Sequence, residues 1–321
     1  MLLKNYEKKR FDKVLRVRYD RLAVCYYFSC TDCAKIKSEN YDIQGDKGVN
    51  LRGYFYYYDK MDKSRIVIFE HGIAAGHNAY FKEIMKLARH GYTVYAYDHT
   101  GCGESGGDNI VGFSQSLNDL DHVVSALKSD PQFKDTTYSV VGHSWGGFST
   151  LNISAIHPDI THLVVLAGFL SPKVVIKQNL KGIHVMYRDY IFSIEKELNP
   201  RYCEFDARES LMKSSSKLLA IYSDDDKLVK YRENFIPLKK ALKDRENTTL
   251  ITVHNKNHNP QYSAEGVKYL EKFNQSFFKL SNKKKLKTKE QQDYFKKQQN
   301  WQKITEQDED VWNMIFNFLD N

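Results

Sequence analysis

Between residues 65 and 280, short apolar runs alternate with stretches whose apolar positions recur every three or four residues. Residues 65–70 (RIVIFE), 92–97 (YTVYAY), 138–141, 162–167, 218–222 (LLAIY) and 248–253 (TTLITV) read as buried strands, each too short for a helix. Residues 79–90 carry apolar side chains at 81, 84, 85, 87 and 88, one face of a helix. Further helices are predicted over 114–129 and 145–156, followed by Pro131 and Pro158, and over 231–242 and 264–280. This β-α-β-α alternation predicts an α/β fold, a mostly parallel sheet with helices on both faces. Residues 41–58 (YDIQGDKGVNLRGYFYYY) read as two strands around a Gly-Asp-Lys-Gly turn, which predicts an antiparallel edge.

Three stretches lie outside the alternation. Residues 1–40 are basic and aromatic without a clear period and are expected to be an N-terminal extension to a body at 41–280. Residues 168–216 separate two strands by far more than the usual loop of about 2–6 residues, and an insertion of that size often covers a site. Residues 281–321 combine a basic segment with a helical apolar stripe at Trp312, Ile315, Phe316 and Phe318, expected to dock on the body.

Composition narrows the function classes. Hydrophobic residues make up 41% of the chain and charged residues 27%, so wholesale disorder is excluded. No apolar run approaches the roughly 20 residues of a membrane span, and MLLKNYEKKRF lacks the apolar core of a secretory signal. The net charge of +8 is not a nucleic-acid footprint, because residues 281–300 hold seven lysines against one glutamate and one aspartate. That segment reads as a solvated basic helix or linker, with contact to an acidic membrane surface as the alternative. No nucleic-acid partner is expected, and the oligomeric state is left open. Five cysteines, an odd count with no signal ahead of them, fit a reducing cytoplasm. Cys30 and Cys33 have C-x-x-C spacing but no second ligand pair, so no metal site is expected there.

The chemistry centres on Gly142-His143-Ser144-Trp145-Gly146. G-x-S-x-G alone is short enough to recur by chance. Here a strand precedes it and a helix follows, the setting of a nucleophile elbow that lifts a serine hydroxyl off the sheet. A serine needs a base to take its proton. His254 and His258 both follow the last strand; His254 sits on the strand end, whereas His258 lies in a loop that can swing over the elbow. A carboxylate must then hold the histidine tautomer. Asp224, Asp225 and Asp226 all follow the preceding strand, and spacing does not choose among them.

Four segments in this order resemble the α/β-hydrolase fold: His71-Gly72-Ile73 after a strand, Asp98-His99-Thr100-Gly101-Cys102-Gly103-Glu104-Ser105, Gly142 to Gly147, and the acid and histidine pair. The likeness covers about residues 45–280 and is greatest to the serine aminopeptidase and monoacylglycerol-lipase-like branch. The resemblance implies Asp226 as the acid, from a G-x-x-D-x-x-V pattern in which Ser223 replaces the glycine, with Asp225 as runner-up. It implies an oxyanion hole from the backbone N–H groups of Ile73 and Trp145, places a cap at 168–216, and makes Gly101 and Gly103 a structural turn rather than a phosphate site. His71 is expected to orient its loop, whose Ala74-Ala75-Gly76 departs from the family's glycine-rich stretch. The cap's Phe169, Leu170, Ile183, His184, Met186, Tyr187, Tyr190, Ile191 and Phe192 can line an acyl pocket or form the cap's own packed face.

The expectation is a cofactor-free, metal-free serine hydrolase with Ser144, Asp226 and His258 as its triad, cleaving a small carboxylic ester. A peptidase or amidase with the same triad is the alternative. A non-catalytic acyl-binding module is the rival from another class.

Overall fold

The computed structural model describes residues 2–73 and 76–321. Helix α1 (Leu2–Leu15) leads through a long irregular stretch to β1 (Ile36–Asn40), the small hairpin β2 (Ile43–Gln44) and β3 (Asn50–Leu51), and β4 (Gly53–Tyr58). The alternating part follows: β5 (Arg65–Glu70), α2 (Phe81–His90), β6 (Thr93–Tyr97), α3 (Gln115–Ser129), β7 (Thr137–His143), α4 (Trp145–Ile153) and β8 (His162–Leu166). The insertion contributes α5 (Pro172–Asn179), α6 (Arg188–Leu198) and α7 (Ala207–Met212). The chain then runs through β9 (Lys217–Ser223), α8 (Tyr231–Ala241), β10 (Thr248–Val253), α9 (Ala264–Asn282), α10 (Lys289–Lys297), α11 (Trp301–Ile304) and α12 (Glu309–Asp320).

Eight strands form one sheet in the order β1-β4-β6-β5-β7-β8-β9-β10. The run from β6 to β10 is parallel, and β4 joins it antiparallel, with β1 antiparallel on the outside. The mostly parallel sheet expected from the alternation is therefore present. Its edge differs from the expected hairpin. The Gly-Asp-Lys-Gly turn closes only the separate two-residue ladder of β2 and β3, and β4 pairs instead with β1. β1 lies inside residues 1–40, so part of that stretch belongs to the sheet. Four of its five residues are exposed, which removes the apolar alternation that would have marked it as a strand.

Both faces of the sheet are buried, as successive residues of one strand show. Ile66 and Ile68 enter a core that holds Leu117, Leu120, Phe148 and Phe235, whereas Val67 and Phe69 enter a second core that holds Phe81, Ile84 and Leu87. The second core also receives Val311, Trp312, Ile315 and Leu319 of α12. A third cluster joins Val24 to Phe273, Phe295 and Ile304. Among the described residues no helix is long and apolar enough to cross a membrane.

Candidate active site

The carboxyl ends of parallel strands are where open α/β sheets bind ligands. Ile73 follows β5, Ser144 follows β7, Asp226 follows β9 and His258 follows β10, so the candidate residues share that edge. Ser144 has φ 57° and ψ −110°, outside the regions that ordinary L-residues occupy. The tight turn depends on small neighbours. A Cβ at Gly146 would stand 2.2 Å from the carbonyl oxygen of Glu70, and one at Gly142 would stand 2.2 Å from the Thr150 hydroxyl oxygen. Helix α4 starts at the next residue, Trp145. Its indole is fully buried and donates from Nε1 to the Phe113 carbonyl at 2.6 Å.

Ser144 Oγ lies 2.8 Å from His258 Nε2, and His258 Nδ1 lies 2.8 Å from Asp226 Oδ2. A carboxylate only accepts, so Nδ1 carries the ring proton and Nε2 is free to accept from the serine hydroxyl. Asp226 is itself held: its Oδ1 accepts from the backbone N–H groups of Leu228 at 2.8 Å and Val229 at 3.0 Å. The three successive aspartates diverge. Asp224 pairs with His254 Nδ1 at 2.7 Å on the exposed strand end, and Asp225 accepts from the Asn257 N–H at 2.9 Å. His254 is thus exposed and turned to Asp224. Ser223, where the related pattern has glycine, accepts from the Lys256 N–H at 3.1 Å and donates to Asp225 at 2.5 Å, tying the acid turn to the histidine loop.

Two further histidines brace the site, and both are buried and neutral. Burial, aided by the neighbouring His99, pushes His71 down to about 3. Its Nε2 accepts from the His99 N–H at 3.0 Å, so its Nδ1 donates to the Gly72 carbonyl at 2.7 Å. His71 joins the loops after β5 and β6 and takes no part at the serine. His143 was visible in the sequence only as the variable position of the elbow. Burial, with His258 nearby, pushes it down to about 3. Its Nε2 donates to the His258 carbonyl at 2.7 Å, and its Nδ1 accepts from the Tyr80 hydroxyl at 2.9 Å. The same hydroxyl accepts from the Gly72 N–H at 3.1 Å. One chain of hydrogen bonds therefore links the Gly72–Ile73 loop, the elbow and the His258 loop. Ala74 and Ala75 lie outside the described residues.

A cavity of about 520 Å³ opens above Ser144 and is also lined by Gly72, Ile73, Trp145 and His258. Its remaining walls are mostly apolar: Phe113, Phe169, Val175, Ile176, Leu180, Ile191, Leu228 and Val229. Of the nine cap residues considered as pocket lining, Phe169 and Ile191 face this cavity. Ile183 and Met186 are 66% and 72% exposed and point away from the core. The sequence also missed the opposite wall, which comes from α1 through Glu7, Arg10, Phe11, Val14 and Leu15. The faint signal was the spacing of Glu7, Phe11 and Leu15, one per turn, with a charge interrupting the stripe. Among the described residues, no group of three or more His, Cys, Asp or Glu side chains is disposed to hold a metal ion. All five cysteines are free thiols.

A sequence profile of the serine aminopeptidase S33 family matches residues 62–234, more than half of the chain. The chain belongs to that family. It has the α/β-hydrolase fold. The 2-hydroxy-6-oxo-6-(2'-aminophenyl)hexa-2,4-dienoic acid hydrolase of Metapseudomonas resinovorans is 30% identical over 152 residues, 46% of this chain. The matched part is 49% of that relative, so the chain spans about half its length. Among solved structures, an esterase of Pyrococcus furiosus superposes with a TM-score of 0.59 at 20% identity, covering 83% of this chain and 99% of the esterase. A Butyrivibrio proteoclasticus protein solved with ferulic acid bound gives 0.52 at 20% identity, over 68% of this chain and 90% of that one. At these identities the two structures share the fold with this chain, and the S33 profile carries the family.

Proposed function

We propose that the protein cleaves a carboxylic ester of a small molecule through a Ser144–His258–Asp226 triad and an acyl-enzyme. The observation that carries this reading is the unbroken contact from Ser144 Oγ to His258 Nε2 and from Nδ1 to Asp226, at the floor of an apolar cavity. Ser144 attacks the ester carbonyl carbon while His258 Nε2 takes its proton. Asp226 holds the imidazole in the required tautomer and stabilises the imidazolium. The backbone N–H groups of Trp145, at the start of α4, and of Ile73 receive the oxyanion. The imidazolium then protonates the departing alcohol, and water, activated by the same histidine, releases the acid.

Cavity charge favours an ester over a peptide with a free amine. Recognising an ammonium group needs an unpaired carboxylate facing the substrate. None of the cap acids Asp189, Glu195, Glu197, Glu204, Asp206 and Glu209 lines the cavity. Glu195 instead accepts from the N–H groups of Phe113 and Ser114. Glu7 does line it, but Arg10 and His184 occupy its two oxygens at 2.9 and 2.6 Å.

The test is hydrolysis of p-nitrophenyl esters from acetate to palmitate by wild type and Ser144→Ala, with fluorophosphonate labelling mapped by mass spectrometry. Turnover and labelling of Ser144, both lost in the variant, are expected. Labelling without ester turnover would move the amidase reading ahead. A folded protein that does neither would leave a binding module.

A further inference from the structure

Helix α1 lies outside the residues that carry the family match, yet it forms one side of the cavity above Ser144. The chain that follows it anchors it to the body. Tyr19 N–H donates to the Gly101 carbonyl and Gly103 N–H donates to the Tyr19 carbonyl, both at 2.9 Å. Arg18 caps the carbonyls of Gly103, Ser105 and Gly107 with its guanidinium. The foot of α1 is thereby stitched to the turn after β6. Midway along the helix, Glu7 bridges to His184 in the cap at 2.6 Å. Between these anchors Phe11 and Leu15 are buried, and Phe11 meets Phe113 edge-on at 6.2 Å.

A helix held at its C-terminal foot and at its middle over a nucleophile, with Phe11, Val14 and Leu15 turned to the cavity, is built to contact what the nucleophile attacks. The Glu7 carboxylate in this face is paired within the wall, with Arg10 on one oxygen and His184 on the other. A cationic acyl group would have to leave water without a free carboxylate to meet it, whereas methylenes would exchange water for Phe11, Val14 and Leu15. The opposing wall of Val175, Ile176 and Leu180 comes from the cap. The chain of the substrate would therefore run between α1 and α5.

We propose that α1 is the outer wall of the acyl-binding site, and that Phe11 and Val14 set the preference for an uncharged aliphatic acyl chain. This rests on Ser144 being the nucleophile. The family's fold supplies the serine and the cap, and the N-terminal helix of this chain supplies the chain-length filter.

The experiment compares kcat/KM across p-nitrophenyl acetate, butyrate, octanoate, decanoate and palmitate in wild type, Phe11→Leu, Phe11→Trp and Val14→Trp. Val14 is 46% exposed, so its replacement by tryptophan keeps the fold even where Phe11→Trp does not. Each methylene that loses its apolar contact should lower kcat/KM about fourfold. The decanoate-to-acetate ratio should fall tenfold or more in the tryptophan variants, and less in Phe11→Leu. An unchanged ratio in all three variants overturns the proposal while leaving the triad intact. A second readout does not need catalysis: binding of an uncharged dodecyl-linked fluorophore to Ser144→Ala, alone and combined with Val14→Trp. Weaker binding in the double variant supports α1 as the wall. Equal binding removes it. Failure of wild type to react with a fluorophosphonate would instead remove the nucleophile itself.

Discussion

Replacing Tyr80 with phenylalanine isolates the hydrogen-bond chain beneath the site. The ring stays against Phe69, with centroids 5.6 Å apart, so no apolar packing is lost. What disappears is one hydroxyl with two partners, the Gly72 N–H at 3.1 Å and His143 Nδ1 at 2.9 Å. Gly72 and His143 are both buried, so each loses its partner in a largely dehydrated setting. Each orphaned buried group costs about 1–3 kcal/mol. Because the two orphans share one network, a total of about 3 kcal/mol is expected rather than the full sum. His143 finds no relief by taking a proton, since burial keeps its ring neutral down to about pH 3. It can relieve Nδ1 only by changing tautomer, which strips the donor from the His258 carbonyl. The loop that holds His258 then loosens, and so does the Gly72–Ile73 loop. Urea denaturation followed by circular dichroism measures the first effect. Ester kinetics measure the second, where kcat should fall about 10–100-fold with KM little changed, since 1.4 kcal/mol of barrier is about tenfold. A purely structural tyrosine would lower stability without moving kcat in the surviving folded enzyme. Stability within about 0.5 kcal/mol of wild type would refute the reasoning altogether.

The neighbouring aspartates offer a paired test: Asp226→Asn should lower kcat about 10⁴-fold, as loss of the orienting acid does in other triads, whereas Asp225→Asn should stay within about tenfold. Glu83 is fully buried on α2 and accepts from Gln261 in the segment after His258. Burial pushes its carboxyl up to about 7. The folded state therefore binds this proton more tightly than the unfolded chain does. The resulting stability is complete below about pH 4.3 and is lost as pH rises to about 7, roughly 3 kcal/mol in all. Glu83→Gln should flatten that slope, which denaturant titrations at pH 5 and 8 will read; an unchanged difference between the two pH values would sink the argument. Trp312→Ala should cost about 3–5 kcal/mol, because the indole is fully buried in the core under the sheet. A loss under 1 kcal/mol in thermal or urea unfolding would mean that α12 is only loosely attached.

Local physics made the frame of this protein legible in its sequence. Apolar runs and helical stripes repeat at periods that a single residue's geometry dictates, so β5 and β10 fall at the expected boundaries and the helices within a few residues. The elbow is also local, since the glycines at 142 and 146 answer contacts made within the strand–turn–helix unit and with the adjoining strand. Other features needed the assembled molecule. Asp224, Asp225 and Asp226 are chemically alike, and only the turn after β9 sends each toward a different partner in the loop after β10. Tyr80 and His143 lie 63 residues apart and meet only because β5 and β7 are neighbours in the sheet. β1 carries no apolar alternation, and its pairing with β4 is what makes it a strand. Helix α1 shows the same division most plainly. Its stripe of Glu7, Phe11 and Leu15 is too mixed to declare a buried face, and it becomes one because Arg10 pairs with Glu7 on the helix and His184, 177 residues away, meets the other carboxylate oxygen. Periodicity records what a segment can bury; the tertiary fold decides against what, and so which charges that face can hold.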